Sequence, residues 1–302
     1  MNSQSIKHWA GKILGAAAKY TLTVVLIVYC VSLLIPLAWL LISSFKDEFG
    51  YALRPLGLPD IWYFKNYVEV FSYMNIKVVT AKGTIIFNFL DLAFNSLVRA
   101  VGTPLIFVFF QTICAYTIAK YKFRGSNFIY MLGLVIMILP IVGSLPSSLM
   151  IHKALGLYDN MYPLMLMAPA VVFGMNFLIL YSSFKNIPWD YAEAAFIDGA
   201  GHWRVMLRIM IPMMFPTCVV LFVLGFLGTW NDYMTVVVML PSYPNLAYGL
   251  YIFQYQASVG GQGASTPMVL TAFVIVMLPT VALYLAAQKF ILQKFIVGGL
   301  KG

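Results

Sequence analysis

Long apolar runs alternate with short polar segments along this chain of 302 residues. Each run has roughly 20 residues or more, the length that a helix needs to cross the hydrocarbon core of a bilayer. The runs occupy residues 20–43, 93–119, 127–151, 160–184, 210–239 and 267–291. Because they are continuously apolar and do not alternate with a period of two, they predict helices and not a transmembrane barrel. We therefore expect an all-α polytopic membrane protein with six transmembrane helices.

Composition and charge agree with this pattern. Hydrophobic residues make up 62% of the chain and charged residues only 10%, whereas roughly a quarter of the residues of a soluble domain are charged. The net charge of +9 is spread along the chain, so nucleic acid is not an expected partner. Lys and Arg concentrate before the first span, in the second and fourth loops and near the C-terminus. By the positive-inside rule, both termini are predicted to be cytoplasmic.

The first run follows a basic N-terminal region, residues 1–19, as it would in a cleaved secretory signal. The run is too long for a signal and no small-residue cleavage site follows it, so it is predicted to be the first span. The long loop after it, residues 44–92, is predicted to be extracytoplasmic. Within this loop, residues 61–71 predict an amphipathic interfacial helix. Residues 77–91 are expected to extend the second helix above the membrane.

Enzyme chemistry finds no support in the sequence. The three cysteines lie in apolar runs, where packing is their expected role, and no metal-binding spacing occurs. There is no Gly-x-x-x-x-Gly-Lys-Ser/Thr phosphate loop, so this chain is not expected to bind ATP in the manner of such loops. No other cofactor is expected in this chain. His152 and His202 are predicted to be polar surface residues. The absence of clustered His, Cys and carboxylate side chains argues against a membrane-embedded enzyme.

The polar segment at residues 185–211 is longer than a connection between two spans requires. Pro188 suits the first turn of a helix, where the carboxylate of Glu193 is favoured by the helix dipole. Gly199 is predicted to end this helix with a positive φ, and a second short helix is expected over residues 201–211. A solvated loop with good caps would explain the charges alone. A docking element for a soluble partner would also explain the two helices.

The residues of this segment, EAAFIDGAGHWRVMLRIMIPMMFP, resemble the EAA motif of ABC importer permeases. The matching positions are Glu193, Ala194, Ala195, Asp198, Gly199, Ala200, Ile209, Pro212 and Pro216. Met206 stands where the carbohydrate class usually has Phe, and Ile211 where it usually has Leu. Similarity extends to FKNYVEVF after the first span, FNSLVRAVGTPLIFVFFQTICAYTIAKYKFRG in the second, TWNDYM in the fifth, and the ending QKFILQKFIVGGLKG. Most of the chain thus resembles carbohydrate-importer permeases of the maltose-transporter type.

This resemblance implies a type I ABC importer permease fold, with residues 1–302 as a single transmembrane domain in a bacterial cytoplasmic membrane. It implies that the chain is the permease subunit of an ATP-driven, binding-protein-dependent importer of a sugar or oligosaccharide. The expected partners are a second, different permease, two cytoplasmic ATPase subunits that bind ATP and Mg, and an extracytoplasmic solute-binding protein. A self-sufficient secondary transporter or channel is the main alternative. It would need coupling-ion sites and commonly shows paired repeats, neither of which is evident.

The resemblance also implies roles for particular residues. Residues 185–211 are expected to form coupling helices that sit in a cleft of the ATPase. Glu193 is expected to pair with a basic residue there, Ala194 and Ala195 to allow close approach, and the Asp198-Gly199-Ala200 turn to make the bend. The C-terminal tail, residues 298–302, resembles one that reaches into the ATPase dimer in related permeases, although glycine-rich ends are also simply frayed in many proteins.

Asp232 is the one acidic residue within the predicted spans away from their ends, and such charges usually face the interior of a bundle. With Trp230, Asn231 and Tyr233 it could line a route for the sugar. Alternatively, Asp232 and Asn231 could cap or brace a break in the fifth helix at a partner interface. Arg99, near the outer end of the second span, is expected to snorkel to the lipid headgroups.

Overall fold

The computed structural model describes residues 3–80, 83–138, 144–167, 174–260 and 264–298. The chain divides into two compact units, one formed by residues 1–70 with 256–275 and the other by residues 71–255 with 276–302. The predicted division into a single domain, residues 1–302, stays a prediction. Residues 299–302 of the predicted C-terminal tail lie outside the described residues.

Helices dominate the described structure. They are α1 (Ser3–Ser43), α2 (Glu48–Leu53), α3 (Lys65–Tyr73), α4 (Phe89–Lys120), α5 (Ser126–Ile138), α6 (Ser144–Ala154), α7 (Met161–Met167), α8 (Met175–Asn186), α9 (Asp190–Ile197), α10 (His202–Val205), α11 (Ile211–Asn231), α12 (Met234–Met239), α13 (Leu246–Ser258) and α14 (Thr266–Gly298). A π-helical turn, Met206–Met210, joins α10 to α11, and the strands β1 (Ile76–Thr80) and β2 (Gly83–Phe87) form a hairpin.

Four helical stretches among the described residues are long and apolar enough to cross a membrane. They are Ala17–Ser43, Phe89–Lys120, His202–Asn231 and Thr266–Ile291, which correspond to the first, second, fifth and sixth predicted spans. The third predicted span falls on α5 and α6, and the fourth on α7 and α8. The residues between these helices, 139–143 and 168–173, lie outside the described part of the chain. A helical, multi-pass membrane protein is thus confirmed, and the count of six spans stays a prediction.

In the first unit, polar side chains fix the chain just after α1. The Asn66 amide donates hydrogen bonds to the main-chain oxygens of Ser44, at 2.9 Å, and Lys46, at 2.8 Å. The Thr271 hydroxyl also donates to the Ser44 oxygen, at 2.9 Å, and the Tyr67 hydroxyl lies 2.7 Å from the Ser44 hydroxyl. Carbonyl groups at a helix end have no donors within the helix, so these side chains supply them.

The predicted interfacial helix begins later than expected, at Lys65 instead of residue 61. The residues before it are extended against the end of α1, since the Tyr63 N–H donates to the Phe45 oxygen at 2.7 Å. The Phe45 ring also contacts the rings of Trp62 and Phe64, with centroids 5.4 and 5.1 Å apart. These tertiary contacts override the helical spacing of the sequence.

Of residues 77–91 only the last three belong to the second helix, and for the residues before Phe89 the predicted extension is wrong. β1 and β2 pair antiparallel, with Ile76 opposite Phe87 and Thr80 opposite Gly83. Their Val, Ile and Thr side chains favour strands over helices. The helix α4 then starts at Phe89, where the Asp91 carboxylate accepts a hydrogen bond from the Asn88 N–H at 3.0 Å. Apart from this hairpin the described structure is all-α, as predicted.

The helix α4 lies at the centre of the second unit, in contact with α8 and α11. The side chains buried between them are Tyr116, Phe177, Leu180, Phe184, Met210 and Leu221. The helices α4 and α11 approach closely at Gly225, where an added Cβ would lie 2.7 Å from the Cβ of Pro104. A glycine here therefore permits close backbone packing, as small residues do between transmembrane helices.

Candidate functional site

The coupling loop, residues 185–211, folds as two helices joined by a tight turn at Gly199. Gly199 has φ of +77°, the left-handed conformation that glycine adopts without steric cost. The Ala200 N–H donates to the Ala195 oxygen at 2.9 Å, and the Gly199 N–H donates to the Phe196 oxygen at 3.0 Å. This pair of bonds is the Schellman motif, which satisfies the last carbonyls of α9. The positive φ predicted for Gly199 is confirmed.

The helix boundaries of the loop differ from the prediction. Pro188 precedes α9 and does not lie in its first turn, because the helix begins at Asp190 after the N-cap Trp189. The second helix does not end at residue 211 but continues through the π turn into α11. The Ile211 N–H donates to the Met206 oxygen, a wider turn than that of an α-helix. Pro212 has no N–H to donate, and the wide turn lies just before it.

The inner face of the coupling loop is buried in the core of the second unit. Ala192 of α9 and Val205 of α10 are fully buried, as is Met210 of the π turn. These side chains belong to the same cluster as Tyr116 of α4 and Phe184 of α8. The loop is therefore packed onto the membrane helices and is not a freely solvated connection.

The end of α4 braces the loop from a second direction. The Tyr121 hydroxyl lies 3.0 Å from Nδ1 of His202, whose ring packs edge-on against Phe196 with centroids 4.8 Å apart. The Lys120 ammonium donates a hydrogen bond to the main-chain oxygen of Ile187. His202 is exposed, as predicted, but it links the loop to the turn after α4. The sequence offered no sign of this contact, because 81 positions separate Tyr121 from His202.

The outer face of the loop combines exposed apolar and acidic side chains. Ile197 is 86% exposed, Trp203 is 71% exposed and Leu207 is also exposed. Glu193 and Asp198 are exposed as well, and neither forms an ion pair within the described residues. Large apolar side chains grouped with charged ones on an otherwise fixed element are typical of a protein interaction surface.

The second predicted site lies where the fifth span breaks, between α11 and α12. The Asp232 carboxylate forms an ion pair with Arg99 of α4 and accepts a hydrogen bond from the Thr235 N–H at 3.0 Å. The Arg99 guanidinium also donates to the main-chain oxygen of Asp232 at 3.1 Å, as does the Asn245 amide. Asp232 thus caps α12 and braces the break within this chain, whereas the predicted partner interface at this place stays a prediction.

Arg99 does not snorkel to the membrane surface, and that prediction is wrong. The residue is only 8% exposed, because Asp232 pairs with its charge inside the protein. Charged groups within a membrane are stable when they pair in this way. The sequence could not show that α4 lies opposite the break, because 133 positions separate Arg99 from Asp232.

The neighbours of Asp232 are held by other contacts. The Trp230 indole N–H donates to the Val276 oxygen at 3.2 Å. The Asn231 amide donates to the Leu227 oxygen at 2.9 Å, and the Tyr233 ring stacks on Tyr251 with centroids 4.9 Å apart. A role for Trp230, Asn231, Asp232 and Tyr233 in the sugar route stays a prediction.

Two of the cavities in the described part of the second unit differ in their linings. One, of about 470 Å³, has an almost wholly apolar lining that includes Phe109, Phe215 and Phe222, so it offers few groups that could orient a polar ligand. The other, of about 340 Å³, is bounded by Arg99, by Ser148 and His152 of α6, and by side chains of α7 and α12. His152 is only 9% exposed, and its prediction as a surface residue is wrong because it faces this cavity.

Comparison with known proteins shows the same architecture and a related sequence. A solved bacterial ABC transporter involved in the import of the acidic polysaccharide alginate contains a chain that matches 96% of this one and 98% of its own length, with a TM-score of 0.72 and 20% identity. The diacetylchitobiose uptake system permease protein NgcG of Streptomyces coelicolor is 30% identical over 214 residues, 71% of this chain and 67% of the relative. The arabinooligosaccharides transport system permease protein AraQ of Bacillus subtilis is 27% identical over 274 residues, 89% and 91% of the two chains.

These relatives confirm the predicted resemblance to carbohydrate ABC permeases, and the solved structure confirms the fold. The family model for the inner membrane component of binding-protein-dependent transport systems matches residues 111–297. That match covers more than half of the chain and includes the coupling loop. The chain therefore belongs to the family of inner membrane components of binding-protein-dependent transport systems.

Proposed function

We propose that this permease imports a sugar or oligosaccharide, driven by ATP that partner subunits hydrolyse. The names of its relatives support this substrate class, since NgcG belongs to a diacetylchitobiose uptake system and AraQ to an arabinooligosaccharides transport system. The chain itself acts as a transport subunit, and ATP and Mg are bound by the ATPases.

The observation that carries this proposal is the division of the coupling loop into a buried inner face and an exposed outer face. Because Ala192, Val205 and Met210 are fully buried, a force on the loop moves the membrane helices with it. Because Ile197 and Trp203 are exposed, a cytoplasmic ATPase can dock on the loop by burying apolar area. Within this surface, Glu193 pairs with a basic residue of the ATPase, and Ala194 and Ala195 let the two proteins approach closely.

The route of transmission follows from the continuity of the chain. The turn at Asp198, Gly199 and Ala200 sets the angle between α9 and α10, and α10 continues through the π turn into α11. Closure of two ATPases would displace the loop and move α11 as a rigid body, a common form of conformational switching. In this arrangement the permease alternates between inward-facing and outward-facing states.

The proposed assembly contains this chain, a second and different permease, two ATPase subunits and an extracytoplasmic binding protein. The N- and C-termini of this chain lie on the cytoplasmic side, as the distribution of Lys and Arg indicates. Apolar side chains of α1 from Tyr20 to Leu37 are exposed within this chain. They are available to lipid and to the second permease.

Purification of the tagged chain from its native membranes in mild detergent tests the proposed assembly. We expect mass spectrometry to identify an ATPase, a second permease and the binding protein among the co-purifying proteins. Recovery of the chain alone, or only as a homo-oligomer, in several detergents would contradict the proposal and favour a secondary transporter or channel.

Variants of the coupling loop test how the ATPase acts on the permease. Glu193→Lys should abolish sugar uptake while membrane insertion stays normal, whereas Glu193→Asp keeps the carboxylate and should retain uptake. Gly199→Ala places a side chain at φ of +77°, which strains the bend by roughly 1–2 kcal/mol and should reduce uptake. Gly201→Ala is the matched control, because Gly201 has φ of −76° and open space around it. Equal uptake by all four variants would refute the assigned roles.

A further inference from the structure

The α2 turn, residues 49–58, exposes large apolar side chains just after the first span. Leu56 is 85% exposed, and Phe49, Leu53 and Leu58 are exposed as well. Single exposed apolar residues are common on soluble proteins, but several within ten residues form a patch that another apolar phase usually covers. Covering such side chains removes apolar surface from water, which is favourable. The α2 turn is therefore a surface that needs a partner.

The main-chain oxygens at the end of α2 receive their hydrogen bonds from inside the protein. The buried Lys46 ammonium donates to the oxygens of Arg54, at 2.8 Å, and Pro55, at 3.0 Å. The Trp39 indole N–H also donates to the Pro55 oxygen, at 2.9 Å, and the Gly57 N–H donates to the Arg54 oxygen, at 3.3 Å. Each oxygen thus accepts two bonds, as many as its lone pairs allow. These polar groups need no water, so the turn can lie in an apolar medium.

The contact with Trp39 indicates the depth of the turn in the membrane. Trp39 belongs to the span Ala17–Ser43, whose 27 residues extend about 40 Å, the thickness of a bilayer with its headgroup regions. Trp39 precedes the end of this span by four residues, or about 6 Å of helix. Helices that lie in a membrane surface bury their apolar face by about 5–10 Å. The α2 turn is thus at the level where headgroups meet acyl chains, where tryptophan is also common.

The neighbouring residues favour lipid over a protein as the partner of the turn. Exposed charged side chains border the apolar ones, namely Asp47, Glu48 and the ion pair of Arg54 with Asp60 at 3.3 Å. Apolar side chains bordered by charged ones suit a membrane interface, which offers acyl chains and water side by side. Three of the four apolar residues are leucines, which are under-represented among the residues that dominate protein interfaces. Leu41 of α1 is exposed too, so the apolar surface continues along the span.

We propose that the α2 turn is a membrane anchor that inserts its four apolar side chains among the acyl chains of one leaflet. Because Trp39 and Lys46 bond the turn to the end of α1 and the residues after it, the anchor fixes the level of this end of α1 in the bilayer. Only the choice of leaflet rests on the proposed function. With both termini cytoplasmic, it is the outer leaflet.

Photo-cross-linking of the complete assembly in its native membranes tests the anchor. Leu56→p-benzoylphenylalanine places a photoreactive ketone at the most exposed of the four positions. After irradiation, mass spectrometry of the chain should identify phospholipid adducts as the main product. Ile197→p-benzoylphenylalanine is the matched control, because Ile197 is as exposed as Leu56 but lies in the coupling loop. It should form at most about a tenth as much lipid adduct.

Two variants of Lys46 test how the turn is held in place. Lys46→Met removes one donor from each of the Arg54 and Pro55 oxygens. These oxygens then need water, which draws the turn out of the acyl chains, and the lipid adduct at position 56 should fall about three- to tenfold. Lys46→Arg keeps a cation with several donors and should retain most of the adduct. An unchanged adduct in Lys46→Met would overturn the role assigned to Lys46.

The outcomes separate this inference from the proposed function. If Leu56→p-benzoylphenylalanine cross-links mainly to the second permease or to the binding protein, the anchor is refuted and sugar import still stands. The anchor is also refuted if position 56 forms no more lipid adduct than position 197. A strong lipid adduct at position 56, in a chain that co-purifies with no ATPase, would contradict the proposed function and support the anchor.

Discussion

Removing one partner of the Arg99–Asp232 pair should destabilise the protein more than removing both. The Arg99→Met substitution leaves the Asp232 carboxylate without its countercharge. Breaking a buried ion pair in this way typically costs about 3–5 kcal/mol. The Asp232 side chain retains 27% exposure and keeps its bond from the Thr235 N–H, so we expect a cost near the lower end, about 3 kcal/mol.

The complementary changes complete a double-mutant cycle. Asp232→Asn leaves the Arg99 guanidinium, which is more buried than Asp232, without its countercharge, so we expect a cost of about 3–5 kcal/mol here as well. The double variant Arg99→Met with Asp232→Asn has neither charge. Replacing both members of a buried pair is often nearly neutral, so the double variant should be more stable than Arg99→Met.

Thermal unfolding of the detergent-solubilised assembly, followed by fluorescence-detected size exclusion, measures the effect. For a chain of this size a change of 1 kcal/mol shifts the melting temperature by roughly 2–4 °C, so Arg99→Met should lower it by about 6–12 °C. If the melting temperature of the double variant falls by as much as the sum of the decreases in the two single variants, the two residues are not energetically coupled. The assigned ion pair would then be refuted. It would also be refuted if Arg99→Met had the same melting temperature as the wild type.

Three further predictions concern packing, capping and docking. Gly225→Ala should lower the melting temperature, since its Cβ would lie 2.7 Å from that of Pro104 and overpacking costs roughly 1–3 kcal/mol. The control is Gly228→Ala on the same helix, whose Cβ would meet nothing within 4 Å and which should be neutral or stabilising. Asn66→Ala removes the two hydrogen bonds that this side chain donates to the chain after α1 and should cost roughly 1–3 kcal/mol in the same melting assay. An unchanged melting temperature would show that water replaces the amide. Trp203→Ala should weaken recovery of the ATPase in affinity purification by at least tenfold, because exposed tryptophans often contribute about 2 kcal/mol or more to an interface, and undiminished recovery would exclude Trp203 from the docking surface.

Hydrophobic patterning predicted the membrane helices because the bilayer imposes a length and a composition on each span. Four of the predicted spans are observed as helices of sufficient length. The hairpin at residues 76–87 was missed, although its run of Val, Ile and Thr favours strands. The error came from treating a partly apolar segment beside a span as an extension of that span.

The sequence did not predict which residues contact each other within the site. Asp232 could be identified as a residue that needs a positively charged partner, because a lone carboxylate in a span is unstable. Its partner could not be chosen, since the register of α4 against α11 is set by packing such as that of Pro104 on Gly225. His152 was misassigned for the same reason, because its burial depends on which face of α6 meets the cavity.

The positions of these contacts bear on how motion could pass through the permease. The helix α11 begins at the π turn of the coupling loop and ends at Asn231, just before Asp232. It is joined to α4 at two levels, by the packing of Gly225 on Pro104 and by the ion pair with Arg99. Separating the helices would expose a buried charge pair and open a packed interface, both of which are costly. We therefore expect α4 and α11 to move together when the loop is displaced, which would carry the wall of the polar cavity formed by Arg99 with them.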